Sequence, residues 1–327
     1  MTILKLGAFI VAAILPVFTG QANAESAAEA YPNAPIRLIV PWPPGGGSDN
    51  LMRVLSPKLS DALGQSVVIE NRPGAAGNIG AAAGARAPAD GYTLIAAYSG
   101  THVINPAVYE NVGFRETDFD PVILIASVPM MVVVNSELPV HTMKDLVKLE
   151  KQSGSKMFYG SSGTGTLTHL AAEMFNQVAG THFKHIPYKG GSQSVIDLLA
   201  GRIDVIFADP ASVIAHIRSG KLRPLAITSM QRAQIMPDLV TIAESGYPNY
   251  DVRSWNGILV PAGTPQAIVQ RLNSEMDKII HDPAMMVKLK DGGYEVVGGS
   301  PESFGKYIRV EIDKWAPVVK AANITVN

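Results

Sequence analysis

Two stretches of the chain place glycines and hydroxyl residues where a strand should give way to a helix. The first is Val40-Pro41-Trp42-Pro43-Pro44-Gly45-Gly46-Gly47-Ser48-Asp49, and the second is Tyr159-Gly160-Ser161-Ser162-Gly163-Thr164-Gly165-Thr166. A helix N-terminus carries unpaired N–H groups and partial positive charge, so either loop can hold an anion without a basic side chain. Glycine lets the backbone approach a ligand and take positive φ. Ser48, Thr164 and Thr166 add hydroxyl donors, and Asp49 is placed to cap its helix and hold the loop. One such loop taken alone reads first as an ordinary cap or tight turn. Two matching loops in tandem α/β units favour a ligand bridging two lobes.

The known catalytic and nucleotide patterns are missed. The second loop lacks the lysine of a phosphate-binding P-loop, and neither loop has G-x-G-x-x-G spacing. Thr164 stands where a G-x-S-x-G nucleophile elbow needs its last glycine. The seven histidines are scattered without metal-ligand spacing and no cysteine is present, so no metal, cofactor, disulfide or thiol chemistry is expected.

Five further positions are candidates. His102, in Ser99-Gly100-Thr101-His102, follows a strand, and His169 falls in the first turn after the second glycine loop. Both belong at the carboxyl edge of a sheet, where open α/β folds bind ligands, and each reads as a ligand contact or as a histidine bonded to a nearby carbonyl. Trp42 and Trp255 adjoin loops expected at the cleft, as core or as ligand contacts. Asp209 follows the strand Val205–Phe207 and either accepts a bond from a polar ligand group or caps the helix at Ala211.

The elements that must position these residues alternate strand and helix. Ile36–Val40, Val67–Glu70 and Tyr92–Ala97 read as strands, separated by a helix with apolar positions Leu51, Val54, Leu55, Leu59 and Leu63 and by an Ala/Gly-rich helix to Arg86. The order restarts at Met130–Val134. Strands follow at Lys156–Gly160, Phe183–Pro187 and Val205–Phe207, with helices at 143–151, 167–178, 192–199 and 211–219. Gly257–Val260 is a last strand before helices at 265–281, up to 290, and 301–320. This order predicts mainly parallel sheets covered on both faces. Without a flexible linker, the lobes should share crossing strands, near Ile123–Ser127 and Ser254–Leu259.

The bulk numbers fit two lobes: 327 residues, 47% hydrophobic and 17% charged, with a formal net charge of −1 and no block of like charges. Nothing points to nucleic acid. Lys5, the apolar run Leu6–Phe18 and Ala22-Asn23-Ala24 read as an export signal cleaved after Ala24, the run being too short to span a membrane.

The sequence closely resembles the solute receptors of tripartite tricarboxylate transporters, the Bug receptor family. The run Val68-Ile69-Glu70-Asn71-Arg72-Pro73-Gly74-Ala75-Ala76-Gly77-Asn78-Ile79-Gly80 is the most specific match. Pro35–Pro41, Pro44-Gly45-Gly46 with Asp49, Asp90–Leu94, Asn105-Pro106, His185–Gly190, Pro261–Pro265 and Lys314-Trp315 extend it. The resemblance implies a two-lobed periplasmic-binding-protein-like (type II) α/β fold: a signal peptide at 1–24, lobe one at 25–125 plus 253–327, and lobe two at 126–252. It implies a monomeric, non-catalytic receptor in the periplasm that passes a small carboxylate to membrane permease subunits. Gly46, Ser48 and Asp49 would serve lobe one, and Ser162, Thr164, Gly165 and Thr166 lobe two, with Ser99, Thr101, His102 and His169 also at the cleft. Trp42 stands where the family leads one to expect phenylalanine or tyrosine, and Tyr98 and Asp209 fall at variable positions. A di- or tricarboxylate is expected, with an aromatic diacid of the phthalate type, such as terephthalate, favoured slightly by Trp42 and Tyr98. Two other roles stay open: a ligand-sensing adapter for a membrane sensor kinase, and a hydrolase using Ser161 or Ser162 with His169.

Overall fold

Short β-branched runs build two sheets, and helices returning between the strands cover them. A computed structural model describes residues 31–326; the export segment expected at 1–24 lies outside the described residues. The strands are β1 (Ile36–Val40), β2 (Val67–Asn71), β3 (Thr93–Tyr98), β4 (Phe119–Pro129), β5 (Met131–Asn135), β6 (Phe158–Ser161), β7 (Lys184–Pro187), β8 (Val205–Ala208), β9 (Leu222–Ile227), β10 (Arg253–Pro261) and β11 (Glu295–Val296). The main helices are α1 (Gly47–Leu63), α2 (Asn78–Ala85), α3 (Met143–Ser153), α4 (Leu167–Ala179), α5 (Gly191–Leu199), α6 (Pro210–Arg218), α7 (Gln266–Ile280), α8 (Pro283–Asp291) and α9 (Pro301–Ala321). A helical turn over residues 100–108 follows β3. Among the described residues no helix is long and apolar enough to cross a membrane.

One sheet has the order β11-β4-β10-β3-β1-β2 and the other β7-β6-β8-β5-β9. The expected parallel arrangement holds for β2–β1–β3 and for β7–β6–β8, the strands joined by helical crossovers. The remaining pairs are antiparallel, which corrects the expectation of mainly parallel sheets. The reason is connectivity: β4, β10, β5 and β9 carry the chain between the sheets and back. The sequence reading missed β9, whose Pro224 weakens the strand pattern; β9 is an edge strand, where a proline is tolerated.

Each helix buries the stripe its spacing predicts. Leu51, Met52, Leu55, Leu59 and Leu63 of α1 pack with Ile268, Leu272 and Met276 of α7 against β1 and β3. Each such side chain contributes about 1.5–3 kcal/mol by burial. Val54, expected on that stripe, is 40% exposed. A second core joins the sheets: Phe304, Ile308 and Trp315 of α9 share a cluster with Leu170 and Phe175 of α4.

The two crossings meet at Thr228. Its Oγ1 accepts from the Met130 N–H at 2.8 Å and donates to the Val252 carbonyl at 2.6 Å. Its own N–H bonds the Met130 carbonyl, and the Val252 N–H bonds the Thr228 carbonyl. The segments expected to cross lie within β4 and β10, which pair from Pro129 to Phe119, so the passage between sheets falls at Met130 on one side and between Thr228 and Val252 on the other. A fully buried hydroxyl thus ties together the segments about which two lobes would turn.

Candidate functional site

Both glycine loops end where the sequence places them, at helix N-termini. Gly46 is the N-cap of α1 and Thr166 that of α4, and neither makes a side-chain capping bond. The N–H groups of the first turn have no carbonyl within their own helix, so those of Gly47 and Ser48, and of Leu167 and Thr168, face outward from the loops.

Two adjoining chambers open along these loops. One, of 540 Å³, is lined by Trp42, Gly46, Gly47, Ser48, Tyr98, Asp209, Ser254, Asn256 and Tyr294 among others. The other, of 320 Å³, is lined by Trp42, Ala76, Tyr98, Thr101, Asn105, Ser162, Thr164, Gly165, Thr166, Thr168 and Asp209 among others. Trp42, Tyr98 and Asp209 are common to both. The two rings meet edge to face, centroids 5.4 Å apart at 80°. Among the described residues no lysine, arginine or histidine lines either chamber.

The first loop is held from behind. Asp49 is fully buried at the third position of α1, not at the cap, so its expected capping role is corrected. Its carboxylate accepts from the Gly45 N–H, from Arg53 Nε and from Asn71 Nδ2, each at 2.8 Å. Burial alone would raise its pKa, but the bonds from Arg53, Asn71 and Gly45 prevail and hold it below the usual carboxylate range. Asn71 also donates to the Trp42 carbonyl at 3.0 Å. On the cleft side, Ser48 Oγ donates to Asn256 Oδ1 at 2.6 Å and Tyr294 OH to the Gly47 carbonyl at 2.9 Å.

The most specific sequence run, residues 68–80, forms a tight turn behind Trp42. A Cβ at Gly77, where φ is +93°, would stand 2.5 Å from Thr101 Oγ1 and 3.2 Å from Trp42 Nε1. Ala76 takes positive φ as well, and its carbonyl accepts from Thr101 Oγ1 and Asn105 Nδ2, each at 3.0 Å. Thr101 therefore lines the smaller chamber while also bracing this turn.

The second loop uses much of its own bonding capacity. The Ser162 N–H donates to Thr168 Oγ1 at 2.9 Å, the Thr166 hydroxyl to the Gly163 carbonyl at 2.7 Å, and the Gly165 N–H to His169 Nδ1 at 3.1 Å. A Cβ on Gly165, with φ at +76°, would lie 2.8 Å from Val326 Cγ2. The ring of His169 stacks on His185, centroids 3.8 Å apart, and His185 Nε2 lies 2.7 Å from Ser161 Oγ. Burial pushes both imidazoles down, His169 to about 3 with help from its neighbour and His185 to about 4. His169 thus holds the loop and does not line a chamber. The serine–histidine contact of this loop joins Ser161 to His185, in place of the pairing of Ser161 or Ser162 with His169 that a hydrolase would have needed.

Other candidates separate in the same way. Ser99 is fully buried, its Oγ 3.4 Å from the Trp255 N–H that donates to it. His102 is buried against Phe114 and Phe119, with Nδ1 3.3 Å from the Tyr98 N–H, and burial lowers its pKa to about 4. Trp255 is core, edge-on to Phe304; strand alternation gives the cleft its neighbours Ser254 and Asn256 instead. Asp209 is the N-cap residue of α6, yet its side chain makes no capping bond. Sequence reasoning missed Ser254, Asn256, Tyr294 and Asn105 as cleft residues. The first three reach the site from β10 and the segment before β11, far from either loop in sequence. Asn105 had a local signal, Asn105-Pro106 beside the third strand, but only as part of the resemblance.

Comparison with known proteins bears on the family and the fold. Residues 51–324 match the model of the tripartite tricarboxylate transporter family receptor. Protein BugT of Bordetella pertussis is 34% identical over 312 residues, which cover 94% of this chain and 96% of that protein. The R. palustris protein Rpa4515, solved with adipate, superposes with a TM-score of 0.77 at 38% identity, covering 90% of this chain and 99% of that one. MatC from Rhodopseudomonas palustris, solved with bound malate, gives a TM-score of 0.73 at 26% identity over 88% of this chain and all of that one (100%).

Proposed function

Because the chain belongs to the tripartite tricarboxylate transporter receptor family, we propose that it captures a small carboxylate between its lobes in the periplasm and hands it to the membrane permease of such a transporter. In this reading residues 1–24 direct export and are removed. Residues 25–125 with 253–327 form one lobe, and 126–252 form the other.

The observation that carries the proposal is the pair of glycine loops opening on adjoining chambers that share Trp42, Tyr98 and Asp209. Neutral donors and helix ends can bind a carboxylate without a fixed cation, and among the described residues no basic side chain lines either chamber. Trp42, Gly46, Ser48, Tyr98, Thr101, Ser162, Thr164, Gly165 and Thr166 would form the walls. Asp49, Ser99, His102 and His169 would hold those walls in place. The ligand stabilises the closed state because it touches both lobes, and closure turns on the strands tied at Thr228. The adipate and malate bound by relatives support the ligand class.

A thermal-shift series on the purified chain with adipate, malate, citrate and terephthalate tests this. A ligand at 100 times its Kd stabilises by about 2.7 kcal/mol. A saturable shift with one class supports the reading, and no shift with any carboxylate overturns it.

A further inference from the structure

Among the described residues Asp209 is the one acid that lines both chambers, and no basic side chain lines either of them. It ends β8 and caps α6 by position, but its carboxylate makes no capping bond and enters no hydrogen bond or ion pair to a side chain or backbone group among the described residues. It is also exposed to the cleft. An N-cap aspartate normally turns its oxygens back onto the first N–H groups of its helix; this one leaves them facing the ligand space. Around it stand Trp42, Tyr98 and Tyr294, all lining the larger chamber. Solvent reaches the carboxyl through the cleft, but the walls crowded around it partly desolvate it and push its pKa up, with no cation among the described residues lining the chambers to oppose the shift. The hydroxyls of Tyr98 and Tyr294 both feel its charge and are themselves raised, chiefly by burial.

A plain dicarboxylate gripped at a glycine loop would bring its second negative charge toward this acid, and like charges at short range repel. A ligand with a cationic nitrogen at that end reverses the sign. The ammonium would pair with Asp209 and lie near the electron-rich ring faces. Resting on the carboxylate-receptor reading above, we infer that the ligand is an amino-substituted carboxylate: its acid end sits at a glycine-loop helix terminus and its cationic nitrogen sits at Asp209 within the Trp42–Tyr98–Tyr294 group.

The test uses matched pairs of equal reach: adipate with 6-aminohexanoate, glutarate with 5-aminopentanoate, and terephthalate with 4-(aminomethyl)benzoate. Each is titrated by calorimetry into the wild-type chain and into Asp209→Asn. Because Asp209 makes no side-chain bond and its charge is disfavoured by its surroundings, the melting temperature of the variant without ligand should be no lower than that of the wild type, which checks that it folds. In at least one pair the wild type should bind the amino member tenfold or more tighter than the diacid. Asp209→Asn should abolish that preference and bind the diacid better than wild type does. If the wild type binds the diacids as tightly as the amino acids, or if the preference survives Asp209→Asn, the inference fails while the carboxylate-receptor reading stands. If no member of any pair binds, the inference fails, and the carboxylate-receptor reading falls with it only if malate and citrate also give no shift.

Discussion

The ring of His169 lies flat on that of His185, 3.8 Å between centroids and 10° from parallel, and each ring fastens a different point of the second glycine loop. His169 takes the Gly165 N–H and His185 meets the Ser161 hydroxyl. Two side chains from α4 and β7 thereby set the curvature of a loop whose outer face is the wall of the cleft.

His169→Ala should therefore weaken ligand binding without removing a ligand contact. The Gly165 N–H would lose its acceptor, at a cost of about 1–3 kcal/mol if it stays buried. Carboxylate affinity should fall roughly tenfold on that account. His169→Asn, whose amide oxygen can stand near the place of Nδ1, should keep affinity within about threefold, since one restored hydrogen bond is worth most of the loss. Calorimetric titration of both variants checks this. Equal loss in the two would mean that the imidazole itself meets the ligand.

Asp49 makes the matching case in the first loop. An asparagine there would present an amide NH₂ to donors from Gly45, Arg53 and Asn71, so at least one of the three bonds must break. Hydrogen bonds to a charged group contribute about 1.5–3 kcal/mol each, so Asp49→Asn should lower stability by about 2–3 kcal/mol. Urea denaturation measures it. A loss below about 0.5 kcal/mol would show that Arg53, half exposed, and Asn71 do not depend on the charge.

How much of this was legible in the sequence follows from what each signal depends on. The loops at 41–48 and 160–166 could be read because glycine and hydroxyl residues between a strand and a helix are a local pattern. Helix stripes such as Leu51 to Leu63 were legible for the same reason. What could not be read was direction. Asp49, Ser99, His102 and His169 sit at the right places along the chain, but their side chains turn inward to hold the walls. Trp255 was singled out where its neighbours Ser254 and Asn256 face the cleft, because a one-residue difference in a strand changes the face. Tyr294 comes from across the six-stranded sheet, and only the folded chain brings it to Gly47. The mixed sheet order escaped for a similar reason: β-strand runs have no orientation until their connections are known.

The buried histidines predict how stability responds to acid. His102 and His185 titrate at about 4 and His169 at about 3, chiefly because burial disfavours the charged ring. An unfolded histidine titrates near 6.5. Their folded pKa values are depressed, so above pH 6.5 both states are neutral and these groups leave stability independent of pH. As pH falls below 6.5 the unfolded chain takes up protons that the folded chain refuses, and stability drops until the folded values are reached. Each histidine contributes a slope of up to about 1.4 kcal/mol per pH unit in that window. Asp204 and Asp209, raised by burial, act in the opposite sense as pH falls through their own range. Asp49, held below the usual carboxylate range, adds acid sensitivity that begins where the unfolded carboxylate takes up its proton and ends once the folded one does. Urea unfolding at pH 8.5, 7.5 and 5.0 should show stability nearly flat across the first interval and falling steeply across the second. His102→Gln, which removes one of the three groups, should reduce that fall by about a third. An unchanged slope in that variant, or a flat profile in the wild type, would mean that these rings reach solvent and take up protons in the folded state.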